Sequence, residues 1–182
     1  MQGLLLLDKP EGITSFGAVA RIKRISGEKR VGHTGTLDPL ATGVLPVFLG
    51  RATALSSFLS DADKRYTARV RLGLETDSCD ITGNVVSECD VSVTEEKLKD
   101  VLSGFKGELR QQPPIYSAIK KNGVRLYEIA RRGESADIPF RNITVHSLEL
   151  LCGPDENNEF EISTLVSKGT YIRSLARDIG RK

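Results

Sequence analysis

The chain has 182 residues, 39% of them hydrophobic and 27% charged, and a net charge of +2. That is one domain's worth of polypeptide, so one compact body spanning 1–182 is expected. No stretch approaches the roughly 20 apolar residues of a membrane span. Cys79, Cys89 and Cys152 form neither a CxxC pair nor a zinc pattern with histidine, which fits a reducing cytoplasm and no structural metal.

Leu4 to Leu7 is a short apolar run closed by Asp8-Lys9-Pro10-Glu11-Gly12, the length and flanks of a buried strand. It lacks a basic segment before it and a small-residue cleavage site after it, so it is taken as a first strand and not a leader. Thr14 and Ser15 offer caps for a helix with Val19, Ile22 and Ile25 on one face and Gly27 as its stop. From Val31 to Gly50, four glycines and two prolines are too much punctuation for a long helix or a continuous central strand, and a shaped loop is expected. Arg65 to Leu72 alternates, Tyr66, Ala68, Val70 and Leu72 against Arg65, Thr67, Arg69 and Arg71, which predicts a half-buried strand.

Thr94 caps a predicted helix whose apolar face is Leu98, Val101, Leu102 and Phe105, with Val93 and Leu98 placed as a hydrophobic staple. A short helix is expected over Val124 to Arg132, stopped by Gly133. Ile143 to Leu151 and Phe160 to Val166 are strand-like and separated by a turn-rich segment, the pattern of an antiparallel hairpin. A Lys168-Gly169-Thr170 turn then feeds a last helix through Ile172, Leu175, Ala176 and Ile179. Strands scattered among helices without a regular βα repeat predict an α+β fold, a mixed, mostly antiparallel central sheet flanked by helices and loops.

Charge is uneven. Lys106 to Arg132 holds seven basic residues against two acids, while Glu75 to Asp100 holds eight acids against Lys97 and Lys99. A basic side suits a polyanionic partner, although charge runs are usually solvated faces. Asp38, followed by Pro39, fits a helix N-cap with proline at the first helical position. Its company points elsewhere: His33, Thr34, Thr36 and Asp38 crowd onto glycine-punctuated backbone, where a carboxylate can be a nucleophile, a base or, least readily with so few ligands, a metal ligand. Tyr66 alone is an ordinary core tyrosine. Arg173, in the first turn of the last helix, opposes the helix dipole and needs an anionic partner unless it is merely solvated.

Gly32-His33-Thr34-Gly35-Thr36-Leu37-Asp38-Pro39-Leu40-Ala41-Thr42-Gly43 resembles the catalytic loop of the TruB-type pseudouridine synthases. Leu7-Asp8-Lys9-Pro10, Lys64-Arg65-Tyr66, Leu72-Gly73, Thr76-Asp77, Pro114-Ile115-Tyr116-Ser117-Ala118 and Ser167-Lys168-Gly169-Thr170-Tyr171-Ile172-Arg173 resemble further family blocks in the family's order. The resemblance spans nearly the whole chain.

It implies the pseudouridine synthase catalytic fold and an isomerase that detaches a uridine base in the T arm of tRNA, rotates it and rejoins it through C5, without a cofactor or metal. Asp38 is implied as the essential aspartate, Tyr66 as the aromatic that stacks on the flipped base, and Arg173 as the partner of the Asp38 carboxylate. Tyr171, Lys9 and Lys64 are implied at the substrate, and His33 in the space the flipped nucleotide leaves. An RNA-gripping insertion around 106–133 implies backbone contacts from Lys120, Lys121, Arg125, Arg131 and Arg132. The family's chain continues further, into another strand and a small RNA-binding domain, so a C-terminally shortened catalytic domain is expected. A cytoplasmic monomer without an obligatory protein partner is the first reading; a guide-RNA-dependent synthase and a non-catalytic tRNA-binding or folding module are the alternatives.

Overall fold

A computed structural model describes residues 1–121 and 123–182, with Lys121 described by its backbone alone. Length alone predicts one body; the described chain forms two compact units, Met1–Ala62 and Asp63–Lys182.

In the first unit, β1 (Gly3–Lys9) is followed by α1 (Ser15–Ser26), β2 (Val31–His33) and β3 (Gly43–Leu49), then a 3₁₀ turn (Gly50–Leu55) and a short α2 (Ser56–Ser60). The helix starts and stops where its residues dictate: the Thr14 hydroxyl accepts the Gly17 N–H at 2.9 Å, and Gly27 ends it at φ 66°, a left-handed conformation open to glycine. Its inner face carries Ala18, Val19 and Ile22, packed with Leu7, Leu45, Val47 and Val31. Ile25, expected on that face, is exposed.

The antiparallel sheet runs β1-β3-β2, so the segment expected to be a loop holds a central strand. Pro46 is tolerated there for a geometric reason. Its carbonyl accepts Thr34 N–H at 3.2 Å, on the β2 side, so its missing N–H lies on that side too, just past the last β2 pair, His33 with Val47. The ladder to β1 loses nothing. β1 itself is not a buried strand: Leu4, Leu6 and Val44 lie on the sheet face away from α1 and are 50%, 64% and 66% exposed.

The second unit is built on an antiparallel sheet ordered β4-β11-β10-β7, where β4 is Lys64–Arg71, β7 Gly107–Gln111, β10 Arg141–Cys152 and β11 Glu159–Val166. Between β4 and β7 run the ribbon β5 (Leu74–Thr76) and β6 (Val85–Glu88) and the helix α3 (Glu95–Ser103). After β7 come β8 (Lys120–Lys121), β9 (Val124–Arg125) and α4 (Leu126–Arg131), and α5 (Ile172–Gly180) follows β11. Every described strand pair is antiparallel, as the α+β reading expects.

The predicted alternation of β4 holds, and Tyr66, Ala68, Val70 and Leu72 pack against a core that includes Leu98 and Leu102 of α3 and Leu175 and Ile179 of α5. In β10 the buried positions are Ile143 and Val145, then Leu148: a register shift between Val145 and Ser147 turns the pattern over midway, as an inserted bulge residue must.

Candidate active site

Asp38 stands on a loop whose backbone is pinned on both sides. The Ser15 hydroxyl, buried at the start of α1, donates to Leu37 O at 3.1 Å and accepts Leu37 N–H at 3.0 Å. Pro39 O accepts Gly12 N–H at 2.8 Å and the Lys9 ammonium at 3.2 Å. Asp38 O accepts Ala41 N–H at 3.0 Å, which makes residues 38–41 a β-turn with proline at its second position; the helix N-cap reading of Asp-Pro gives way to this turn. Three successive residues are thus held by their main-chain atoms. The Asp38 side chain on this loop is half-buried.

Lys9 is fully buried, and its Nζ donates to Pro10 O at 2.9 Å, Ile13 O at 2.9 Å and Pro39 O. An ammonium has three protons, and all three are used within the unit. The expectation that Lys9 meets substrate therefore changes: its place is beneath the loop, tying the turn after β1 to the residue after Asp38. His33 Nδ1 lies 2.8 Å from Gly35 O; a carbonyl only accepts, so this bond puts the proton on Nδ1 and leaves Nε2 as the second ring nitrogen. Gly35 permits the bend with φ 74°.

In the second unit, Tyr66 lies on β4 opposite Thr164 of β11, with Lys64 two residues earlier on the same face. Tyr171 is the residue before α5, and Arg173 is the second residue of that helix. Arg173 donates to Ser78 O at 2.9 Å and Tyr116 O at 3.0 Å, and its guanidinium lies 3.5 Å from Asp80 Oδ2, with both side chains nearly buried. A cation held this way cannot swing, and Asp80 offsets the cost of burying it. Sequence reasoning did not single out Asp80, which sits in a stretch that counts as a solvated acidic face.

The signal was the turn chemistry around it. Asp80 Oδ1 accepts from Ser78 Oγ, Thr82 N–H and Thr82 Oγ1, and Asp77 accepts from Asn84, so the β5–β6 loop is folded onto its own carboxylates. Cys79 takes φ 58° in that loop; burial pushes its thiol up, with the Arg177 guanidinium opposing the shift.

The basic segment is organised by stacking. Arg125 and Arg131 lie 5.9 and 5.5 Å from the centroid of the Tyr127 ring, and Arg110 lies 5.2 Å from that of Phe140. Arg132 caps the end of α4, and Lys120 pairs with Arg125 across the small ribbon. The side chain of Lys121 lies outside the described residues. Among the described residues no three His, Cys, Asp or Glu side chains gather as a metal cage would require, and no helix is long and apolar enough to cross a membrane.

The fold is shared with solved structures. A chain of a "Crystal Structure of a Cbf5-Nop10-Gar1 Complex" superposes with a TM-score of 0.74 at 35% identity, over 98% of this chain and 44% of that one. A chain of a "Structure of H/ACA RNP bound to a substrate RNA containing 2'-deoxyuridine" gives 0.71 at 32%, over 98% and 42%.

Residues 23–172 match the family described as TruB family pseudouridylate synthase (N terminal domain), and the chain belongs to that family. It is 52% identical over 180 residues to "tRNA pseudouridine synthase B" of Azoarcus sp. (strain BH72), covering 99% of this chain and 59% of the relative. For the protein of the same name in Caldanaerobacter subterraneus subsp. tengcongensis the identity is 49% over 183 residues, covering 100% and 64%. The chain thus spans less than two thirds of the length of these curated relatives.

Proposed function

We propose that this chain is the catalytic part of a tRNA pseudouridine synthase and converts a uridine in the T arm of tRNA to pseudouridine, with Asp38 carrying the chemistry. The observation that carries the reading is the pinned loop: bonds from Ser15, Gly12, Lys9 and Ala41 immobilise the backbone on both sides of Asp38, which is what a carboxylate acting on a flipped base needs. The reaction breaks the bond from N1 to C1′ and makes one from C5 to C1′; C5 gives up its proton and N1 ends protonated. Nothing is oxidised or hydrolysed.

Flipping the nucleotide costs a few kcal/mol. Stacking on Tyr66 contributes roughly 1–3 kcal/mol toward that, and Tyr171 adds a second aromatic wall. His33, its ring tied to Gly35, supports the RNA where the nucleotide has left. Lys64 contacts substrate. Arg173, fixed by two carbonyls and Asp80, supplies a fixed positive charge. Lys120, Lys121, Arg125, Arg131 and Arg132 hold RNA phosphates. The named relatives near 50% identity favour an enzyme acting on tRNA over a guided one, and the form we propose for it is a cytoplasmic monomer. Tritium release from T-arm stem-loop RNA labelled at C5 of uridine tests the reading: the chain should release label and Asp38→Ala should not. Release by both would remove Asp38 from the role.

A further inference from the structure

Gln111 closes β7 and is 2% exposed, a burial an amide tolerates only with its donor and acceptor bonded. Both serve one residue. Nε2 donates to Tyr171 O at 3.1 Å, and Oε1 accepts Tyr171 N–H at 2.8 Å. The side chain thereby reproduces the two-bond exchange of a neighbouring strand. It does so where Tyr171 is extended, at φ −101° and ψ 111°, one step before α5 and with no side-chain cap of its own.

The next residue continues the grip: Gln112 O accepts from Ser174 Oγ at 2.9 Å and from Arg177 Nη2 at 3.1 Å. Arg141, in register opposite Gln111 on β10, holds its guanidinium 5.8 Å from the centroid of the Tyr171 ring. One pair of residues across β7 and β10 therefore fixes Tyr171 twice, by its peptide and by its ring.

We propose that Gln111 is a positioning residue that aims Tyr171 at the base in the isomerisation; this rests on the function proposed above. Gln111→Leu removes both bonds at little change in bulk. Gln111→Glu keeps the acceptor but donates to Tyr171 O only when protonated. The leucine variant should lower the single-turnover rate about thirtyfold, as a displaced pocket group does, while its RNA dissociation constant moves less than about threefold. The rate of the glutamate variant relative to the unaltered chain should climb as pH falls. In a Tyr171→Leu background, where no ring is left to aim, the loss from Gln111→Leu should shrink to under about threefold.

Equal losses in both backgrounds, or a glutamate ratio flat with pH, would overturn the proposal. If the unaltered chain converts no uridine, the assigned function is what fails, and amide hydrogen exchange then decides Gln111. Lost protection at Tyr171 N–H in Gln111→Leu, with the β10 amides unchanged, supports the clamp; retained protection refutes it.

Discussion

At Lys9 a single buried charge ties the turn after β1 to the residue after Asp38. Its ammonium bonds the carbonyls of Pro10, Ile13 and Pro39, so removing it leaves all three in a site closed to water. Lys9→Met should destabilise the chain by on the order of 3 kcal/mol, the scale for losing hydrogen bonds to a charged group. Urea unfolding checks this, and a midpoint equal to that of the unaltered chain would contradict it. The family resemblance placed Lys9 at the substrate, and the residues alone allow a surface lysine beside a proline turn; one of its three partners, the Pro39 carbonyl, lies thirty residues away. Asp80 shows the same limit. Its acidic neighbourhood is legible, but the Arg173 guanidinium that it meets lies on another element of the fold.

Elements were legible wherever local chemistry decides them. Thr14, Gly27 and Thr94 bound their helices as caps and stops should, and the alternation along β4 matches its burial. Features set by pairing partners were not legible. The bulge in β10 shows only when β11 is paired beside it, and Pro46 sits in a central strand because β2 ends at His33.

The β10–β11 turn carries a pH dependence. The Glu159 N–H first, and the Asn157 N–H with it, hold the Asp155 carboxyl below its ordinary range. A depressed carboxyl adds stability above the unfolded pKa and loses it as pH falls through the folded one. Asp155→Ala should therefore melt below the unaltered chain at neutral pH, with the gap closing below the carboxylate range. A gap constant with pH in thermal melts would contradict that account.

On the scale of the whole molecule, a net charge of +2 hides a basic stretch in which Arg125 and Arg131 lie against the Tyr127 ring, while Arg110 lies against Phe140. If these side chains grip RNA phosphates, log affinity falls linearly with log salt. Replacing both Arg125 and Arg131 by alanine should reduce that slope by about 2, one for each phosphate no longer neutralised. Titration of a labelled T-arm stem-loop across salt concentrations measures it, and an unchanged slope would mean that the two arginines serve only the Tyr127 stack.

We propose that Asp38 on its pinned loop makes pseudouridine. The most direct measurement is to incubate T-arm RNA with the chain or with Asp38→Asn, digest it, and separate the nucleosides, since uridine and pseudouridine have equal mass but differ in retention. Pseudouridine at a single position with the unaltered chain and none with the asparagine variant is the predicted result. Pseudouridine formed equally by both would contradict it.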